Sequence, residues 1–123
     1  MILGLSSPLH HNSPQEWAER MVSLEAKAIV FPVDSNSDSE VIKAYKEAAD
    51  KNGLLIAEVG VWRNTLAKEP EERKANIEYA VNQLKMADEI GANCCVNVLG
   101  TPYGPRWDGG YKGNFSEENW NQA

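Results

Sequence analysis

Residues 54–64 read Leu-Leu-Ile-Ala-Glu-Val-Gly-Val-Trp-Arg-Asn, and this stretch decides the fold. Its first four residues are continuously apolar, which is typical of a strand covered on both faces in a parallel sheet. Glu58, Trp62 and Arg63 follow where the apolar run ends. Carboxylate, indole and guanidinium groups at the carboxyl end of a buried strand contribute little to core packing. This end of the strands is where α/β proteins bind their ligands. The stretch therefore predicts a buried strand that leads into a ligand-binding turn.

The rest of the chain repeats this alternation of strand and helix. Further strands are predicted at residues 1–5, 28–33 and 94–99. Helices are predicted to begin at Pro14, after the loop 34–38, at Pro70 and at Ser116. Such alternation predicts an α/β protein with a parallel βαβαβαβ sheet. Two architectures fit this order. One is an open doubly wound sheet, and the other is part of a (β/α)8 TIM barrel, which needs about 250 residues when complete.

Apolar residues at helical spacing predict the sides of the helices that face the sheet. The predicted inward positions are Trp17, Met21 and Leu24 in the first helix, Val41, Ala44, Tyr45 and Ala48 in the second, and Ile77, Ala80, Val81, Leu84 and Ala87 in the third. Ser13 can cap the first helix while Glu16 closes a capping box. Gly53 and Gly91 can take the left-handed conformation that ends a helix.

Composition and charge exclude several classes of function. The net charge of −6 disfavours electrostatic binding to nucleic acid or to an anionic membrane surface. No apolar run approaches the roughly 20 residues that span a bilayer, and the short apolar start lacks the basic leader of a signal peptide. The adjacent Cys94 and Cys95 point away from a disulfide framework and towards buried, reduced thiols. A cytoplasmic location is the expectation that follows.

Four segments carry a resemblance to a known family. They are residues 4–11 (Gly-Leu-Ser-Ser-Pro-Leu-His-His), 30–34 (Val-Phe-Pro-Val-Asp), 56–62 (Ile-Ala-Glu-Val-Gly-Val-Trp) and 90–97 (Ile-Gly-Ala-Asn-Cys-Cys-Val-Asn). In this order and spacing they resemble the sugar phosphate isomerase/epimerase family, the xylose isomerase-like TIM barrels. The resemblance implies a metal-dependent enzyme that acts on sugars, sugar phosphates or polyols. It does so by aldose–ketose isomerisation, by epimerisation beside a carbonyl or, in some relatives, by dehydration of a keto-inositol.

The resemblance covers only the first half of such a barrel. Residues 1–123 are therefore expected to form the amino-terminal half of a TIM-barrel domain that stops at the start of the fourth helix. In this family the metal ligands, typically two Glu, an Asp and a His, lie on strands of the second half, and the acid/base carboxylates are among them. The resemblance thus implies a divalent metal (Mn, Mg, Co or Zn) in the complete enzyme. It assigns no catalytic residue and no metal to this chain alone, which is expected to be inactive by itself.

Five residues are candidates for contacts with a sugar, sugar phosphate or polyol substrate. Glu58 could accept hydrogen bonds from substrate hydroxyls, or pair with a basic side chain such as Arg63. Trp62 could stack on a sugar ring or pack under the next helix, and Arg63 could bind a phosphate through its planar fork or remain solvated. His10 could contact substrate from the first loop, whereas a metal site at two adjacent histidines is disfavoured. Asn97 could point into the barrel mouth or be a satisfied strand-end amide.

The loop after the fourth strand offers weaker candidates. Arg106 and Lys112 share the argument for anion binding made for Arg63. Trp107 and Asp108 lie in a long segment, residues 100–110, that resembles a lid over a site.

A half barrel would leave two strand edges and its apolar inner face uncovered. Both features favour association, so we expect a homo-oligomer. A rival to the enzyme fragment is accordingly a non-catalytic half-barrel module that self-associates or completes a partner chain. An endonuclease of the same barrel superfamily is a third interpretation, and the acidic balance argues against it.

Overall fold

The computed structural model describes residues 2–6 and 10–123. Its elements, in chain order, are β1 Gly4–Leu5, α1 Pro14–Ser23, β2 Ala28–Val30, α2 Ser39–Lys51, β3 Leu55–Val61, α3 Pro70–Glu89, β4 Cys94–Asn97, a 3-10 helix Lys112–Phe115 and α4 Glu117–Trp120. Met1 of the predicted first strand and Ser7, Pro8 and Leu9 of the quoted loop lie outside the described residues. The predicted alternation of strands and helices is confirmed.

The four strands form one parallel sheet in the order β1-β2-β3-β4. In the register of this sheet, Gly4 lies beside Ala28, and Ile29 lies beside Ile56. A doubly wound sheet is defined by a point at which its strand order reverses, and the order of these four strands has no such reversal. The α/β class and the parallel sheet predicted from the sequence are therefore confirmed.

The chain divides into two compact units. Unit 1 comprises Met1–Gly60 and Gln83–Val96, and unit 2 comprises Val61–Asn82 and Asn97–Ala123. No helix within the described parts of either unit combines the length and the apolar character needed to cross a bilayer.

The core of unit 1 lies between the helices and one face of the sheet. The cluster contains Ile29, Ile56 and Val59 from the strands. The helices contribute Trp17, Ala18 and Met21 from α1, Ala48 and Ala49 from α2, and Met86, Ala87 and Ile90 from the end of α3. All three helices thus pack on the same face, and each large side chain buried there stabilises the fold by roughly 1.5–3 kcal/mol.

On the opposite face of the sheet in unit 1, Leu55 is exposed, and so is Cys94 at the start of β4. The small Ala28, which lies beside Leu55 in the register, is buried. The prediction that both cysteines are buried is therefore wrong for Cys94, whose thiol lies 3.2 Å from the carbonyl oxygen of Ala57. Cys95, the next residue, points to the other face and is half-buried against the core. Both thiols are free, as predicted.

Three strands are shorter than the sequence predicts. β1 begins only at Gly4, although Ile2 and Leu3 belong to the predicted strand. β2 ends at Val30 instead of Val33 because Pro32 has no N–H to donate to a strand ladder. β4 ends at Asn97 instead of Leu99 because the carbonyl of Leu99 instead accepts a hydrogen bond from the backbone N–H of Leu66, at 3.2 Å.

The predicted inward side of α3 is largely wrong. Ala87 is buried as predicted, but Ile77, Val81 and Leu84 are exposed. Leu24, which follows the last residue of α1, and Val41 on α2 are exposed as well. The end of α3 instead buries Gln83, which is 2% exposed. Its side chain donates to the carbonyl of Gly60 at 2.9 Å and accepts from the backbone N–H of Ser35 at 2.6 Å. The carbonyl of Gly60 within β3 and the N–H of Ser35 after β2 thus both bond to the Gln83 amide, and a pattern of apolar residues cannot reveal this role.

Local signals set the helix ends as predicted, with one change. Ser13 caps α1 by accepting from the N–H of Glu16 at 3.1 Å. The Glu16 carboxylate accepts from the N–H of Asn12 at 2.8 Å, one residue before the partner that a capping box would use. Gly53 and Gly91 have φ of 65° and 71° and follow the ends of α2 and α3.

We predict that the two faces of the sheet differ strongly in their contribution to stability. Ile29→Ala removes a core side chain that is 1% exposed and should lower the free energy of unfolding by about 2–5 kcal/mol. Leu55→Ala, on the neighbouring strand, removes a side chain that is 40% exposed and should cost less than about 1 kcal/mol. Urea unfolding of both variants measures the difference, and equal losses would contradict a sheet covered on one face.

We predict that Glu16 titrates far below an ordinary glutamate. The hydrogen bond from the Asn12 backbone, followed by that from the Arg20 guanidinium, lowers the pKa of Glu16 from 4.5 to about 2. Because the folded pKa is the lower one, the stabilisation is present above pH 4.5 and is lost as the pH falls through about 2. Carbon-13 NMR of the Glu16 carboxyl measures this pKa. A midpoint near 4.5 would refute the prediction.

Candidate functional site

The five predicted substrate contacts are divided between the two units. His10 and Glu58 belong to unit 1, whereas Trp62, Arg63 and Asn97 belong to unit 2. His10, Trp62, Arg63 and Asn97 lie at or beyond the carboxyl end of a strand, which is where ligand-binding residues lie in parallel α/β proteins. Glu58 does not: β3 continues to Val61, so Glu58 lies within the strand and its predicted position at the strand end is wrong.

A bulge in β3 determines where Glu58 lies. The register pairs Ile29 with Ile56 but the next residue, Val30, with Glu58, so that β3 has one extra residue at this point. Ile56 and Val59 both lie in the core although they are three positions apart, a spacing that would put them on opposite faces of a regular strand. The bulge restores Val59 to the core and leaves Glu58 half-buried in the interval between them. Bulges of this kind re-aim side chains next to binding sites.

Trp62 and Arg63 directly follow β3. Trp62 is exposed, so its indole is not packed under a helix in the way the alternative interpretation expected. The guanidinium carbon of Arg63 lies 4.9 Å from the ring centroid of Tyr79 on α3, a cation–π contact. This contact holds the Arg63 side chain against α3.

The two adjacent histidines have different surroundings. His10 is exposed. The Nε2 atom of His11 lies 2.7 Å from the hydroxyl of Tyr45, and Tyr45 packs edge-on against the buried Trp17 with ring centroids 5.5 Å apart. Burial raises the pKa of Tyr45, so the phenol stays protonated at neutral pH. His11 is thus part of the packing between loop and helices, and His10 is the histidine open to a ligand.

Asn97, the fifth predicted contact, is exposed at the last position of β4. The weaker candidates lie on the loop that follows this strand. The Arg106 guanidinium donates to both carboxylate oxygens of Asp108, at 3.1 and 2.9 Å, and this pair holds the pKa of Asp108 below its usual range. The planar guanidinium of Arg106 is therefore occupied by a carboxylate of the same loop. Lys112 is exposed at the start of the 3-10 helix.

Asn64 organises the two loops of unit 2 and was not among the residues singled out from the sequence. Its side-chain oxygen accepts from the N–H of Thr101 at 3.0 Å and from that of Leu66 at 3.2 Å. Its side-chain nitrogen donates to the carbonyl of Thr101 at 2.8 Å. The amide thereby pairs with the backbone of Thr101 as a neighbouring strand would. Asn76 on α3 donates to the Asn64 carbonyl at 2.9 Å and fixes the turn from the other side.

Gly100 is the residue that lets Asn64 approach so closely. Its φ is 83°, and a Cβ at this position would lie 2.2 Å from the side-chain oxygen of Asn64. Beyond it, the hydroxyl of Thr101 donates to the side-chain oxygen of Asn114, and Asn114 donates to the carbonyl of Gly109 at 3.1 Å. The loop after β4 is therefore held by a continuous set of polar contacts.

These two loops line a cleft of about 310 Å³ in unit 2. The residues that line it include the charged Lys68, Glu69 and Glu72 from the loop before α3 and its first turn, and Trp107 from the loop after β4. None of the three charged side chains is paired with another residue of the described chain. Carboxylate, ammonium and indole groups thus meet at one open cleft between two loops that follow strands.

The described residues do not form a metal site. No three His, Cys, Asp or Glu side chains among them lie close enough together to hold an ion.

A scan against protein-family models finds no match for this chain, and a search of the curated proteins finds no significant relative.

We predict that Gly100 is required for the contact between the loops. Gly100→Ala would strain the backbone at positive φ and displace the Asn64 side chain, so the expected loss of stability is about 2–4 kcal/mol. Gly110→Ala, in the same loop, has no neighbouring atom within 4 Å of the added Cβ and should change stability by less than about 0.5 kcal/mol. Hydrogen exchange of the Thr101 and Leu66 amides should accelerate only in Gly100→Ala. Unchanged exchange there would contradict the role given to Asn64.

Proposed function

We propose that this chain is the amino-terminal half of a (β/α)8 barrel of the sugar phosphate isomerase/epimerase type. In this proposal it supplies substrate contacts to an enzyme that moves a proton between adjacent carbons of a ketose, aldose or polyol. The observation that carries the proposal is the sheet itself: four parallel strands in sequential order with their helices on one face.

The strand order supports a barrel because of the way barrels close. Sequential β–α–β connections of the same hand place every helix on the same side of the sheet. Continued over eight strands, that arrangement encloses the uncovered face as the barrel interior. The exposed Leu55 and Cys94 would then belong to the interior, where branched and small side chains pack in layers.

The cleft of unit 2 supports a polyhydroxylated substrate. The Glu69 and Glu72 carboxylates can accept hydrogen bonds from hydroxyl groups, and the Lys68 ammonium can donate to them. The Trp107 indole, on the loop across the cleft, offers a flat apolar surface to the C–H face of a ring. A sugar or polyol presents both kinds of surface at once. A free anion, in contrast, would meet two carboxylates for one ammonium.

The remaining contacts are assigned by chemistry. Glu58, in the bulge of β3, would accept hydrogen bonds from substrate hydroxyls. Trp62 would stack on the ring, and Arg63 would bind a phosphate where the substrate carries one. His10 and Asn97, both exposed, would hydrogen-bond to hydroxyls from the first and fourth strand ends.

A divalent ion, in an enzyme of this type, polarises the carbonyl and hydroxyl of the substrate. No three His, Cys, Asp or Glu side chains among the described residues lie close enough together to hold such an ion. Because the family to which the chain bears a resemblance carries its ligands on the second half of the barrel, the proposal assigns them to strands five to eight. What this chain would contribute is binding and orientation of the substrate.

We predict that the complete gene product, supplied with Mn²⁺, Mg²⁺ or Co²⁺, interconverts a ketose or inosose with its isomer or epimer. In D₂O the product should carry deuterium at the carbon beside the carbonyl, which proton NMR detects. Glu58→Gln should raise KM by roughly tenfold because a charged acceptor is lost. Glu47→Gln, on the exposed side of α2, is the matched control. Turnover that survives removal of the metal by chelation would rule out the metal mechanism. Absence of turnover with every ketose and inosose assayed would refute the proposal.

A second candidate function is a non-catalytic half-barrel module that self-associates or completes a partner chain. The uncovered sheet face of unit 1, with Leu55 and Cys94 exposed, favours it because exposed apolar surface of this kind marks interaction sites. This candidate shares the fold with the first but predicts no turnover with any sugar or metal.

A further inference from the structure

Unit 2 carries a second concave surface, separate in character from the cleft. It is a groove of about 330 Å³ lined by Lys68, Pro70, Arg73, Lys74 and Ile77, which we call the basic groove. Pro70 and Ile77 provide apolar surface, and three cationic side chains surround it. On a chain with a net charge of −6, a groove lined by cations without a carboxylate is the exception that needs explaining.

The cations of the basic groove are positioned and available. The Nε atom of Arg73 donates to the carbonyl of Ala67 at 2.8 Å, which fixes the guanidinium over the start of α3. Lys68 and Lys74 are exposed, and within the described residues neither is joined to a carboxylate. Ile77 is also exposed, so the groove offers both charge and apolar surface to a partner.

The same unit presents a segment of complementary chemistry. Residues 115–120, Phe-Ser-Glu-Glu-Asn-Trp, are called here the acidic–aromatic segment. Phe115 is 77% exposed and Trp120 is 69% exposed, and the Glu117 and Glu118 side chains between them are exposed as well. Two aromatic rings and two carboxylates match the apolar surface and the cations of the basic groove. Aromatic residues left in water to this extent are a sign of an interaction surface.

The segment cannot fill the groove of its own chain because it is anchored in another orientation. Asn119 is buried, and its side chain donates to the carbonyl of Asn114 at 3.2 Å. Its backbone N–H donates to the hydroxyl of Ser116, also at 3.2 Å, which caps α4. Because the Asn119 side chain is buried, the side chains of Phe115 and Trp120 lie on the exposed side of the segment.

We propose that the occupant of the basic groove is the acidic–aromatic segment of a second copy of this chain. Glu117 and Glu118 of each copy pair with the cations of the other, while Phe115 and Trp120 cover Pro70 and Ile77. An aromatic ring can also stack on the Arg73 guanidinium. The partner is chosen by charge complementarity, because the segment brings carboxylates and rings together as the groove requires.

The position of the segment favours a closed pair of copies. The side-chain oxygen of Gln122, just beyond α4, lies 3.5 Å from the Arg73 guanidinium, so groove and segment adjoin on one surface of unit 2. A two-fold axis through such a surface lets each segment enter the groove of the other copy, and the contact closes without leaving a free site. The proposal goes beyond the proposed function and does not rest on it, because it uses neither the sheet face nor the five substrate contacts. The two share only Lys68, which lines both the cleft and the basic groove.

A charge-reversal experiment on the full chain tests this contact. Sedimentation velocity over a concentration series should show a monomer–dimer equilibrium that weakens with added salt. Lys74→Glu and Glu118→Lys should each raise the dissociation constant by roughly tenfold or more, since a two-fold contact counts each change twice. The double variant Lys74→Glu/Glu118→Lys should regain most of the lost affinity. Trp120→Ala should weaken the dimer by a similar factor.

Two control variants separate this surface from others. Lys85→Glu makes the same change of charge on α3 but outside the groove, and should leave the dissociation constant within about twofold. Leu55→Asp places a charge on the uncovered sheet face and should likewise have little effect. A chain that stays monomeric, or a double variant that recovers nothing, would overturn the proposal. So would a dimer that Leu55→Asp abolishes and Lys74→Glu leaves intact. Circular dichroism of each variant verifies that it is folded.

Discussion

Burial of one sheet face under α1, α2 and the end of α3 is the interaction on which the rest of the structure depends. Ile29, Ile56 and Val59 receive side chains from all three helices in unit 1. Parallel strands need a crossover between them, and crossovers of one hand return each helix to the same side. The sheet is consequently apolar and covered on one face, while the other face keeps Leu55 and Cys94 in solvent. The polar strand ends follow from the same parallel arrangement.

The bulge in β3 shows how packing and function compete for one strand. Val59 lies in the core together with Ile56, three positions away, and the extra residue at the bulge makes that spacing possible. Without the bulge, strict alternation would put Glu58 on the same face as Ile56, where an unpaired carboxylate is costly to bury. The irregularity therefore serves both the core and the half-buried position of Glu58.

The loops of unit 2 are held by polar contacts more than by an apolar core. One asparagine side chain, Asn64, makes three hydrogen bonds to the backbone around Thr101 and Leu66, and Gly100 leaves it the space. Such contacts order a loop before any ligand arrives, so less conformational entropy is lost on binding. The cleft that carries Trp107 and Glu72 lies between loops fixed in this way. Long loops without such contacts would be poor walls for a site.

The sequence by itself determined the kind and order of the elements, because its signals are local. Apolar runs marked the strands, Ser13 and Pro70 marked helix starts, and Gly53 marked a helix end. Only the tertiary structure decided which surfaces are buried, because burial depends on what lies opposite. Gln83 is inside and Leu84 outside since two distant backbone groups need the amide. The pairing of Asn64 with Thr101 joins loops 37 residues apart, a distance that no spacing rule spans.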